Sequence, residues 1–92
     1  MIVRIMGEGQ WDVADSHLRA LNHLDDQLEA AVEGKDVDTF TRSLAELLGA
    51  VRVAGSPLPD DALVDSSLIL PPADATLEEV RELLTDEGLI PG

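Results

Sequence analysis

A chain of 92 residues with 45% hydrophobic content and a net charge of −13 is acidic, yet too apolar to be a disordered acidic tail. Its 19 acids against 6 bases exclude direct binding to nucleic acid or to an anionic lipid surface and favour basic protein partners. The absence of cysteine excludes disulfides and thiol chemistry, and with Trp11 and Phe40 as the sole aromatic residues the core must be aliphatic.

Length predicts a single domain over residues 1–92 with a modest core, a size compatible with homo-oligomers or partners. The first residues hold no long apolar run. Neither a secretion signal nor a membrane-inserted helix is therefore expected, and the expected compartment is the cytoplasm.

The predicted elements define an α+β fold. Ile2-Val3-Arg4-Ile5-Met6 is β-branched and suits a strand, Gly7-Glu8-Gly9 a turn, and Gln10-Trp11-Asp12-Val13 a second strand, giving a β-hairpin over about 2–13. A three-residue loop at Gly7–Gly9, with Gly9 left-handed, sets Ile5 against Trp11, Val3 against Val13 and Arg4 against Asp12. Trp11 is read as core, because Ile5 and Val13 share its face; an interface anchor is the competing role.

Asp15 is placed to cap a first helix over about 16–33, with Leu18, Leu21, Leu24 or Asp25, Leu28 and Val32 at helical spacing and Gly34 as its stop. Asp36 starts a second helix over about 37–54. Its predicted stripe is Val37, Phe40, Leu44, Leu47, Leu48 and Val51, and Gly55 ends it. Gly49 interrupts this helix, a placement that suggests close packing. The short Gly34-Lys35 connection makes the pair an antiparallel helical hairpin.

Ser56 to Asp61 reads as loop. Leu68-Ile69-Leu70 reads as a third short strand added to the hairpin and stopped by Pro71-Pro72. Thr76-Leu77-Glu78-Glu79 fits a capping box that opens a C-terminal helix over about 77–86, with Leu77, Val80, Leu83 and Leu84 as its buried stripe and Gly88 as its stop.

No constellation carries a reaction. His23 with Asp26 has a metal-ligand spacing, but a closed site needs further converging ligands, so no metal and no cofactor is expected. Asp60, Asp61 and Asp65 lack the spacing of an EF-hand and read as turn acids. Gly7-Glu8-Gly9 lacks the later glycine and lysine of a phosphate loop. Ser16, Ser43, Ser66 and Ser67 have no activating base in view. What remains is an acidic face on the first helix, at Asp25, Asp26, Glu29 and Glu33, and an apolar tail, Leu89-Ile90. The tail either anchors a partner or folds back on the third helix. Truncation after Gly88 separates these, since docking shows as lost thermal stability and recognition as lost binding.

Several ordered blocks resemble the PspA-associated protein family, PspAA. They are Met1-Ile2-Val3-Arg4-Ile5-Met6-Gly7-Glu8-Gly9-Gln10, then Leu21-Asn22-His23-Leu24-Asp25, then the run from Leu70 to Leu84 with Pro71-Pro72 and Thr76-Leu77-Glu78-Glu79, and finally Glu87-Gly88-Leu89-Ile90-Pro91-Gly92. The resemblance implies a non-enzymatic accessory component of the phage-shock-type envelope stress response in prokaryotes. The partner it implies is phage shock protein A, a coiled-coil protein at the inner face of the cytoplasmic membrane. It supplies no catalytic residues. A small acidic regulator of another basic protein is the alternative, and a metal-dependent enzyme built on the His23 region a third reading, which the incomplete ligand set disfavours.

Overall fold

The computed structural model describes residues 1–59 and 64–83. Along the chain lie β1 (Ile2–Ile5), β2 (Gly9–Val13), a short 3-10 turn (Asp15–His17), α1 (Leu18–Glu33), α2 (Val37–Ala54), β3 (Gly55–Pro57), β4 (Leu68–Leu70) and α3 (Leu77–Leu83). The strands form one mixed sheet in the order β3-β2-β1-β4, with β4 parallel to β1 and the other pairs antiparallel. This is the expected α+β fold with its N-terminal hairpin, helical hairpin and C-terminal helix. The expected stretch of α3 beyond Leu83, its stripe residue Leu84 and the stop at Gly88 lie outside the described residues.

One face of the sheet carries Val3, Ile5, Val13, Leu68 and Leu70, all buried, and packs on Leu21, Leu28 and Val32 of α1 and on the apolar stripe of α2. The tightest part of that stripe, Leu44, Leu47, Leu48 and Val51, is at most 1% exposed. Each such leucine contributes about 1.5–3 kcal/mol by leaving water. Val80 of α3 and Ala75 close the same cluster from the side.

The hairpin register differs from the sequence expectation by two residues. Val3 lies opposite Trp11, Arg4 opposite Gln10, Ile2 opposite Asp12 and Ile5 opposite Gly9. A shift of two keeps every side chain on its own face, so the hydrophobic pattern does not distinguish the two pairings. The turn decides. The Ile5 carbonyl accepts from the Glu8 amide at 3.0 Å, and Gly7 at φ +85° occupies the position where a tight turn needs positive φ. The loop is therefore Met6–Glu8, one residue earlier than expected.

Gly55-Ser56-Pro57, expected as helix stop and loop, forms the edge strand β3 along β2, with Trp11 opposite Pro57 and Val13 opposite Gly55. Gly55 caps α2 in an extended conformation, φ −94° and ψ 160°, and passes directly into the strand. A Cβ there would lie 2.8 Å from both Trp11 Cβ and the Val51 carbonyl oxygen. Only glycine permits this approach. Trp11 itself is half-buried: it packs against the core cluster without being one of its buried residues.

A methyl group on Gly49, by contrast, would meet nothing within 4 Å, so close packing is not the role of that glycine. Asp15 does not cap α1. No side chain caps that helix, and the Asp15 carboxylate instead lies 3.8 Å from the Met1 nitrogen. Asp36 does cap α2, accepting from the Thr39 amide at 3.1 Å and from the Thr39 hydroxyl at 2.7 Å.

The α1–α2 connection is a Schellman closure: the Lys35 amide donates to the Val32 carbonyl at 3.2 Å and the Asp36 amide to the Ala31 carbonyl at 3.0 Å. Gly34 stays right-handed, and Lys35 takes the left-handed turn at φ +54°. At α3 the Thr76 hydroxyl accepts from the Glu79 amide and donates to the Glu79 carboxylate, which establishes the expected cap.

Candidate interaction surfaces

Helical phase sorts the acidic residues of α1. Positions 26, 29 and 33 are spaced by three and four and share one face. Asp26 and Glu33 are exposed there, and Glu29 is half-buried. Asp25 lies one residue, hence about a quarter turn, away. It falls in line with Leu21, Leu28 and Val32, and it is 1% exposed. Asp25 thus fills the stripe position that the sequence left open between it and Leu24, and it is absent from the solvated face. Neither Asp25 nor Glu29 is a free carboxylate. Leu89 and Ile90 lie outside the described residues, as do Asp60 and Asp61.

His23 places its Nε2 3.2 Å from Gln27 Nε2. Among the described residues no three His, Cys, Asp or Glu side chains converge on a point where a metal ion would sit.

Two polar ties fix the hairpin from outside the core. Gln10, 8% exposed, donates through Nε2 to Ser66 Oγ at 2.7 Å and to the Val64 carbonyl at 3.3 Å, which holds the segment before β4 against the outer sheet face. The Arg52 guanidinium forks onto the Glu8 carboxylate, with Nε to Oε1 at 2.8 Å, and joins the last turns of α2 to the hairpin loop. That hydrogen bond holds the Glu8 carboxyl below its ordinary 4.5 and raises Arg52 in turn. The hydrogen bonds from Thr39 likewise lower Asp36 below 3.8.

A surface that the sequence reading missed lies between the start of α2 and α3. It is a trough of about 560 Å³ lined by the apolar Val37, Phe40, Ala75 and Leu77 and by the charged Lys35, Glu78 and Arg81. Val37, expected in the buried stripe of α2, is 60% exposed. Its phase is right for that stripe, but it stands at the first helical position, where the core cluster ends at Phe40. Nothing in the sequence marks it, because Val37 is in phase with the buried stripe and only the position of α3 makes a trough.

The fold and these surfaces define a small α+β protein whose described surface carries an acidic helix face and a trough. The chain belongs to the PspA-associated protein family, PspAA, whose family model matches residues 1–92, the whole chain. Comparison with curated proteins and with solved structures gives no match.

Proposed function

We propose that this protein is a non-enzymatic adaptor that binds phage shock protein A and modulates its assembly or its engagement with the membrane. The observation that carries the reading is the family match over the full length, since the family is named for association with PspA. The exposed carboxylates at Asp26 and Glu33, with half-buried Glu29 between them, support it physically. An acidic helix face in a chain of net charge −13 complements basic surfaces on a partner and competes there with anionic lipid. Leu89 and Ile90 are proposed as a second, apolar contact.

Among the described residues no helix is long and apolar enough to cross a membrane. The location that goes with the adaptor role is the cytoplasm, with the inner membrane face reached through the partner. The test is co-purification and light scattering of the two proteins at about 100 mM salt and again at about 500 mM, where screening shortens the reach of surface charge. The reading expects a complex that weakens with salt and with Asp26→Lys/Glu33→Lys. Absence of a complex, together with unchanged partner assembly, overturns it.

A further inference from the structure

The trough between α2 and α3 differs in the charge of its lining from the acidic face of α1. The chain carries 6 bases in all, and two of them, Lys35 and Arg81, line it. Among the described residues neither makes an ion pair or a side-chain hydrogen bond, a state they share with Arg19 and Arg42, whereas Arg52 is tied to Glu8 and Arg4 to Ser66. The lining hydroxyls are already engaged: Thr41 donates to the Val37 carbonyl at 3.0 Å, and Thr76 is held by Glu79. Among the described residues Glu78 is the single acid of the lining, so an incoming molecule meets apolar side chains, two cations and one carboxylate.

Lys35 gives a second, separate reason to look here. It holds the left-handed position of the Schellman closure at φ +54°, where glycine fits without strain and a side chain costs about 1–2 kcal/mol. The glycine of this connection sits one residue earlier, at Gly34. The chain therefore keeps a lysine where glycine would relieve the strain, and that lysine lines the trough. Val37, two residues on, is 60% exposed although a polar residue would serve equally at the first turn of a helix. Strain and exposed apolar surface at one place are the two observations from which a binding site is argued.

We infer that this trough receives an amphipathic helical segment of a protein partner, with an apolar ridge seated on Val37, Phe40 and Leu77 and flanking carboxylates paired with Lys35 and Arg81. The shape suits a helix laid in a groove, because the two walls are themselves helical and α3 spans Leu77–Leu83, a run of about two turns. The charge selects an acidic segment, opposite in sign to the partner surface that the α1 face would meet. The inference stands on this site alone and survives or fails independently of the adaptor reading.

The probes are two designed amphipathic helices with the same leucine ridge, one flanked by glutamates and the other by lysines, titrated calorimetrically into the full chain. A chain of net charge −13 repels the acidic helix at long range, so its binding requires a local site. The expected result is binding of the acidic helix that weakens about tenfold or more in Lys35→Glu/Arg81→Glu. A comparable loss is expected in Val37→Glu, while none of the three changes weakens the basic helix. All three positions are exposed, and circular dichroism verifies that the variants keep the fold. Failure of the acidic helix to bind below about 1 mM, or equal binding by both variants, overturns the inference. So do nuclear Overhauser contacts in the free chain between the methyls of Val37 or Leu77 and those of Leu89 or Ile90, which would give the trough to the chain's own last residues.

Discussion

Gly49 and Gly55 stand six positions apart near the end of one helix, and replacement of each by alanine should move stability in opposite directions. At Gly55 the backbone conformation is open to alanine, so the effect is one of space. The new methyl meets Trp11 Cβ and the Val51 carbonyl oxygen, each at 2.8 Å, and Val13 Cγ2 at 3.1 Å. The first is fixed to a strand backbone and the second belongs to the helix, so neither swings away as a side-chain tip does. Overpacking of this kind costs about 1–3 kcal/mol, and rigid neighbours put it at the upper end. The lost freedom of the unfolded chain returns about 0.4–1 kcal/mol. The net is a loss of about 2 kcal/mol, a large part of the roughly 5–14 kcal/mol open to a chain of this size. In melting temperature it amounts to a fall of about 8–16 °C.

At Gly49 the same methyl enters open space in mid-helix, and alanine gains about 1 kcal/mol of helix propensity, or a rise of about 4–8 °C. Thermal unfolding followed by far-ultraviolet circular dichroism gives both numbers. Trp11 fluorescence, read in parallel, should shift in the folded state of Gly55→Ala alone, because the clash is with that residue. A Gly55→Ala protein melting within about 3 °C of the parent refutes the packing argument, as does a Gly49→Ala protein that melts lower.

Lys35→Gly should raise the urea midpoint at unchanged slope, by up to about 1 kcal/mol, since relief of about 1–2 kcal/mol of left-handed strain exceeds the roughly 0.5–1 kcal/mol entropic cost of glycine. Asp36→Ala should lower the melting temperature at neutral pH. The lowered carboxyl pKa makes that contribution present above 3.8 and lost as the pH falls through the folded value, so parent and variant should converge in acid. Glu8→Gln removes the fork to Arg52, which is about a third exposed at each partner and so is worth only about 0.5–1 kcal/mol at neutral pH. Because the Glu8 carboxyl is held below 4.5, this difference too should be full at neutral pH and be lost progressively as the pH falls from about that value through the folded one.

The helices were legible because their signals are local. Asp36 and Thr76 have the right side chains at the right offsets, and the spacing from Phe40 to Val51 has one phase throughout. What escaped depends on contacts distant in sequence. Nothing in Gly55-Ser56-Pro57 favours a strand; the segment pairs because Gly55 lets the end of α2 settle on β2. The hairpin pattern left two registers equivalent, and only the turn at Gly7 separates them. In the connection Gly34 looked like the left-handed stop, yet Lys35 carries that turn. The candidate surfaces divide in the same way. The acidic face was half legible, since charge identified Asp26, Glu29 and Glu33, while helical phase, which burial obeys, removes Asp25 from it. The trough was illegible because it exists only where α3 comes to rest beside the first turn of α2.

These two surfaces differ in how they would select a partner. The face at Asp26 and Glu33 attracts basic segments from a distance, through a field that salt screens within about 8–10 Å. The trough works against the field of its own chain. On the inference above, an acidic segment would be repelled on approach and held only if an apolar ridge covered Val37 and Leu77 while its carboxylates reached Lys35 and Arg81. A polar acidic segment would then be rejected at the trough for lack of a ridge, and a basic amphipathic one for its charge. A partner carrying both a basic stretch and an acidic amphipathic helix would meet both conditions. Its second contact would then form at the high effective concentration set by the first, so that two weak sites select more sharply than either does alone.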